Sequence, residues 1–427
     1  MKTGFWSCFA PVALAALTLE PTAQAGELGD LLQAALQHPQ VRAAASQTGA
    51  AQAQKEAATG RYFGNAMLSA GSHQYEGQHV VGVFVPGAPG VPLISDRINQ
   101  TGLTYSLPVD IFGVIAANRE RAQHDLVAAE LLSRQQTLLK LHQTTSAYLT
   151  LQALLRQREA LVLYRQRIAA TYQRIKKEVE LGRAAGVDAR YAESELARLV
   201  ADEAQLNGAL VQAQADLAEA TSREKFLPTR AEIHVPAWED VSSDVTLPTQ
   251  IAQARREAAR AQAEENRQAL LPSLSLDTNY FRNSGNGDHR DTWAIGGVVS
   301  LPLGVSQYRQ AEAQRLAARA AAEQSEAAER DSARQMASLH AAYDSACADG
   351  QAMEKEAAYR EQVAAVQREM QRLGSQTLEN LFRHERDLLD ASYRLAQAKA
   401  RAGSAWSAAQ VLNGLPIEDY IVRMDAK

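Results

Sequence analysis

The chain has 427 residues, 46% hydrophobic but only 6% aromatic, and a formal net charge of −5. As a globular protein this length would make two or three domains, and without a basic excess no nucleic-acid partner is expected. Its two cysteines cannot build a zinc cluster.

Residues 1–25 read as an export signal. Lys2 is the positive region, Val12 to Leu19 the apolar core, and Ala23-Gln24-Ala25 the small-residue cleavage site. The mature chain is then expected to start at Gly26. Cys8 is discarded, and Cys347 alone cannot form an intramolecular disulfide. No later segment approaches the ~20 consecutive apolar residues of a membrane-spanning helix.

The mature chain reads as two units of one plan, 26–227 and 248–416, joined by a linker at 228–247 that carries Pro228 and Pro236 and ended by a tail at 417–427. The first unit opens with a helix over 28–61. A weak strand pattern over 65–76 and a stronger one over 100–109 flank a Pro- and Gly-rich loop at 77–98, expected as an exposed hairpin loop. No proline lies between Pro108 and Pro228, so a very long helix is permitted over 112–181. Two adjacent rows at a spacing of seven mark its apolar stripe: Leu141, Tyr148, Leu155 and Val162 beside Leu154, Leu161, Ile168 and Ile175. A return helix over 188–226 completes a helical hairpin, 112–226.

The second unit repeats this order. A helix over 247–271 leads to strands over 273–282 and 291–303, separated by the turn signal Asn283-Ser284-Gly285-Asn286-Gly287-Asp288. A helical hairpin over 305–413 follows, with arms 305–373 and 376–413. Landmarks align at a nearly fixed offset: Ser106-Leu107-Pro108 with Ser300-Leu301-Pro302, Tyr148 with Tyr343, Leu181-Gly182 with Leu373-Gly374. At ~1.5 Å per residue each long helix spans about 105 Å, close to the sum of the two short helices of its own unit. Each unit is therefore expected as one long helix flanked by two short ones stacked end to end.

Strand residues alternate aliphatic or aromatic with small polar, as in Leu274, Leu276, Thr278 and Tyr280 against Ser273, Ser275, Asp277 and Asn279. That alternation fits a strand of a transmembrane barrel, with outer-membrane lipid on one side. An ordinary half-buried sheet would alternate in the same way. Four strands cannot close a barrel, and open edges in lipid cost several kcal/mol per unpaired group, so several chains must contribute to one barrel. Tyr75, Tyr105, Tyr280 and Trp293 are candidates for the membrane interfaces.

These junctions are similar to those of the TolC family of outer-membrane efflux and secretion channels. The resemblance rests on Ser106-Leu107-Pro108-Val109-Asp110-Ile111-Phe112-Gly113 and its echo Ser300-Leu301-Pro302-Leu303-Gly304, on Leu271-Pro272-Ser273-Leu274, on the turns Leu181-Gly182 to Asp188 and Leu373-Gly374 to Leu378, and on Asn413-Gly414-Leu415-Pro416. It implies a mixed, mainly helical membrane protein. In it, three copies form a 12-stranded β-barrel, four strands from each, continued by an α-helical tunnel across the periplasm. It also implies two partners, a periplasmic adaptor (membrane fusion) protein and an inner-membrane pump, and a role in drug efflux, metal efflux or protein secretion.

On this resemblance the adaptor docks at the two tip turns, at Gly182, Arg183, Gly186, Val187 and Asp188 and at Gly374, Ser375, Gln376 and Thr377. A periplasmic aperture is expected at Glu379, Asn380, Arg383 and Asp387, with Asp390 one turn further on. The sequence departs from the family at Asn380 and Arg383, where aspartates are usual, and Glu379–Arg383 at i, i+4 reads equally as a plain helix pair. No metal-ligand pair, nucleophile motif or phosphate loop is present, so no enzyme activity, metal or cofactor is expected. A soluble periplasmic coiled-coil adaptor is the rival reading; it would need the helices but not the alternating strands.

Overall fold

The computed structural model describes residues 26–82, 92–223, 226–228, 232–239 and 245–425. The expected signal peptide and residues 83–91 of the expected hairpin loop lie outside these residues.

The chain begins with α1 (Glu27–Leu36) and α2 (Pro39–Gly60), where a single helix over 28–61 was expected. Proline cannot continue a helix from within but suits its first position. Pro39 therefore ends α1 and starts α2, and the His38 imidazole accepts a hydrogen bond from the Gln40 amide at 3.2 Å. A single 3₁₀ turn at 61–63 leads into the strands.

The strands are β1 (Asn65–Val81), β2 (Leu93–Val109), β3 (Ser273–Gly285) and β4 (Asp288–Ser300), in one antiparallel sheet of order β1-β2-β3-β4. The first hairpin runs further into its loop than the sequence pattern indicates. Gln74 pairs Arg97, and after an irregularity the ladder resumes from His79–Ser95 to Val81–Leu93. Backbone pairing thus overrides the weak β propensity of a Gly-, Gln- and His-rich segment. The second hairpin is tighter than its six-residue turn signal implies. Only Asn286 and Gly287 lie outside the ladder, at φ 49° and 90°, as a primed two-residue turn requires.

Two helices dominate, α3 (Val114–Glu180, 67 residues) and α6 (Val305–Arg372, 68 residues), each about 100 Å long. The others are α4 (Gly186–Thr221), α5 (Leu247–Gln268), α7 (Leu378–Asn413) and α8 (Ile417–Asp425). α2 and α4 pack along α3, and α5 and α7 along α6. α3 also packs against α5 and α7. The segment 417–427, read as a tail, is helical over most of its length because Tyr420 and Met424 bury completely beside α1.

The change from strand to rod is set by Asp110. Its carboxylate accepts hydrogen bonds from the Ile115 and Ala116 amides, at 3.1 and 2.9 Å, satisfying donors that the first turn of α3 leaves unpaired. At mid-length the described linker residues 232–239 cross the rods. Tyr343 donates to the Pro236 carbonyl at 2.8 Å, Trp406 Nε1 to Ala237 at 3.2 Å, and Trp238 stacks on His340 with ring centres 4.7 Å apart.

Candidate functional site: an amphipathic sheet and a paired helical tip

Side chains alternate across a strand, so the ladder register fixes which residues share a face. Leu68 pairs Leu103, Leu103 pairs Tyr280, and Tyr280 pairs Trp293. Two, four and six steps along, Tyr105, Thr278 and Ile295 form the next row, then Leu107, Leu276 and Gly297, then Val109, Leu274 and Val299. From the Tyr280–Trp293 row to the helical end this face is therefore apolar apart from Thr278. It is also bare: Trp293, Ile295 and Val299 are 76, 74 and 70% exposed. The band ends above Tyr280 and Trp293, where Arg282 and Asp291 pair at 3.1 Å and the Tyr280 hydroxyl donates to Asp291 at 2.7 Å. The rings stand where apolar surface gives way to charge, as aromatic girdles do. Of the four girdle candidates, Tyr105 and Tyr280 lie on this face with Trp293, whereas Tyr75 stacks on His79 at 4.3 Å beside the β1 irregularity.

The opposite face is polar and internally bonded. Gln100 donates to Asn283 at 3.0 Å, and Asn283, fully buried, donates to Thr292 at 3.2 Å. Phe281 lies flat over Gly102, where an added Cβ would stand 2.0 Å from the ring.

At the far end of the rods the two expected tips are built alike. Each is a Schellman turn. Arg183 and Gly182 amides return to the Glu178 and Val179 carbonyls at 2.7 and 2.9 Å. Ser375 and Gly374 return to Met370 and Gln371 at 3.0 and 3.1 Å. Gly182 and Gly374 hold φ of 69° and 76°, with open space around them. Gly186 and Val187 open α4, and Asp188 lies in its first turn. Thr377 caps α7 by accepting from the Asn380 amide at 3.3 Å, and Gln376 bridges Gln367 and the Asn380 side chain. Leu181, Val187 and Leu373 are largely exposed.

The residues expected at an aperture are divided. Glu379 and Arg383 pair at 3.5 Å on the surface of α7, the plain helix pair. Asn380 faces Gln376, and Asp387 is held by Arg360 of α6 at 2.8 Å. Asp390 lines a cavity of about 380 Å³ with Arg198, Asp202 and Tyr393. Burial, aided by both aspartates, pushes the Tyr393 hydroxyl up to about 12.

Sequence reasoning missed the strongest electrostatic feature, two carboxylates buried between the hairpins. Glu385 of α7, 2% exposed, receives Arg167 of α3 at 3.0 Å and Arg368 of α6 at 2.8 Å. Glu195 of α4 receives Arg386 of α7 at 2.8 Å and the Tyr164 hydroxyl at 3.0 Å. Burial opposes the charge on Arg167, but Glu385 and Glu361 outweigh it and hold that guanidinium above its usual range. Burial and the Glu195 charge push the Tyr164 hydroxyl well up. Tyr191 stacks on Phe382 at 5.6 Å beside them. The signal was present in the sequence. Glu385 sits between Leu381 and Leu388 on the apolar row, and Glu195 between Ala192 and Leu199.

The fold is similar to that of solved outer-membrane channels. VceC of Vibrio cholerae, described as an outer membrane protein, is 20% identical with a TM-score of 0.75, over 91% of this chain and 96% of its own. The CmeC outer membrane channel of Campylobacter jejuni is 14% identical with a TM-score of 0.78, over 94% and 90%. The MtrE outer membrane channel of Neisseria gonorrhoeae, in its open state, is 20% identical with a TM-score of 0.72, over 90% and 88%. Residues 31–223 match the outer membrane efflux protein family. The resemblance to TolC-like channels read from the sequence therefore holds, by sequence in the first half and by fold along nearly the whole chain. No curated protein matches this chain.

Proposed function

We propose that this chain is the outer-membrane channel of a tripartite efflux or type I secretion system. It works as a passive duct in the outer membrane of a Gram-negative bacterium and extends into the periplasm. Three copies close a 12-stranded barrel, and the rods of the two repeated halves surround the tunnel below it. An inner-membrane pump supplies the energy, and a periplasmic adaptor docks at Gly182–Asp188 and Gly374–Thr377. The chain itself does no chemistry.

The observation that carries this reading is the sheet. It has one largely apolar exposed face and one polar face, and among the described residues β1 and β4 each have a single strand partner. Unpaired edges beside an apolar face are untenable in lipid unless neighbouring copies complete them. The exposed apolar residues of the tips supply a surface for a partner.

The test is the mass of the protein extracted from membranes in mild detergent. A trimer in the outer-membrane fraction is expected; a monomer in the soluble periplasm would refute the duct. Docking has its own test. Gly374→Pro cannot adopt a φ near +76°, so it should abolish efflux while the trimer persists. Undiminished efflux, in cells lacking the wild-type copy, would remove the second tip from the docking site.

A further inference from the structure

The amide nitrogen of Gly26 donates a hydrogen bond to the Asp425 carboxylate, 399 residues along the chain. Gly26 is where the signal peptide is expected to be cut. We propose that cleavage after Ala25 creates an ion pair between the new α-ammonium of Gly26 and Asp425, and that this pair clasps α1 to α8 in the exported protein.

Three observations converge on the clasp. First, Gly26 is the N-cap of α1, extended at φ −69° and ψ 176°, and its carbonyl accepts from the Asp30 amide at 3.1 Å. The nitrogen is thereby held at the helix entrance. Second, the helices on either side are anchored: Leu28, Leu31 and Leu32 of α1 and Tyr420 and Met424 of α8 are buried. Third, each charge alone is badly placed. An ammonium at a helix N-terminus and a carboxylate at a helix C-terminus both oppose the helix dipole, whereas paired they cancel. Of the charges nearby, Arg423 is drawn to Glu239 at 2.8 Å, and the acidic Glu27 and Asp30 of the first turn add to the field at the ammonium, so the comparison with Asp425→Asn isolates the clasp.

The covalent step is a hydrolysis by an export signal peptidase. One water is consumed, the Ala25–Gly26 peptide bond breaks, Ala25 leaves as a carboxylate, and the Gly26 amine takes a proton from solvent. Before cleavage Gly26 offers Asp425 one neutral N–H. Afterwards it offers a full positive charge, and such charge-assisted bonds are about twice as strong.

The test uses the full exported chain in detergent. Intact mass should first give a mature chain starting at Gly26. Reductive methylation of the α-amine with formaldehyde and cyanoborohydride is then followed against pH. An adjacent carboxylate stabilises the ammonium and raises the midpoint, whereas burial alone slows labelling at every pH without raising it. The midpoint in the folded protein should lie about one unit above the ordinary ~7.7–8.0, so labelling near neutral pH is roughly tenfold slower than in Asp425→Asn. Asp425→Glu should restore most of the protection. If Asp425→Asn does not fold, the wild-type chain in urea supplies the reference midpoint. A mature chain beginning elsewhere, or a midpoint in the folded protein that is not raised, overturns the proposal. Neither result bears on the duct reading.

Discussion

Gly102 and Glu385 are the residues on which most depends. A Cβ at 102 would meet the Phe281 ring at 2.0 Å and the Tyr280 carbonyl at 2.8 Å, so Gly102→Val must displace backbone rather than a flexible side-chain end. Overpacking of this kind costs ~1–3 kcal/mol. Less folded protein in the outer membrane is expected, measured as the heat-resistant band on gels. Glu385→Gln removes the charge shared by Arg167 and Arg368. Losing one side of a fully buried pair costs ~3–5 kcal/mol; because both guanidinia reach solvent, about 2 kcal/mol is expected here. The readout is faster proteolysis where α7 packs on α3 and α6, and an unchanged digestion pattern would exclude Glu385 as the fastening point.

The long helices, the strand-to-rod junctions and the glycine tips were legible in the sequence, because absence of proline, heptad spacing and positive-φ glycines are local signals. Helix α8 was not, because its stability comes from a distant seam. Tyr420 donates to or accepts from Thr145 at 2.9 Å and also meets Ser407, which in turn bonds His142 at 2.9 Å. The buried carboxylates were missed for a related reason: which arginine reaches a buried glutamate is decided by how separate helices align. The His142 seam gives an element-scale prediction. Burial holds its imidazole below the ordinary value. The unfolded chain then binds the proton more readily, and stability falls as pH drops below about 6.5. The melting temperature in detergent should decrease between pH 7 and pH 5, and His142→Gln should flatten that slope.

For the whole molecule, the decisive feature is the free edge of β4. The two-residue turn makes Gly285 and Asp288 a hydrogen-bonded pair, so pairing alternates and the Ile295 amide points away from β3. Ile295→Pro should therefore leave the chain's own hairpin paired while deleting one donor to the neighbouring copy in the proposed trimer. Loss of trimer with retention of the folded monomer, read by size and circular dichroism, is the expected outcome. Trp238→Ala tests the strap at mid-length. It removes the stack on His340 and the contact with Tyr343 at 5.2 Å. For a half-buried ring the cost should be about 2 kcal/mol, below the ~3–5 of a fully buried one.

In the first hairpin Arg167 lies fourteen residues before Leu181, and in the second Arg368 lies five before Leu373, so these arms run on past the buried carboxylates for about 20 and about 8 Å. Nearer the turns the two hairpins are joined again, by the Arg174–Gln371 hydrogen bond and the Tyr191–Phe382 stack. A sideways push at the glycine turns is therefore passed down a short ladder of cross-hairpin contacts to Glu385 and Glu195, and that ladder, rather than the turns, sets the stiffness that a docking partner feels.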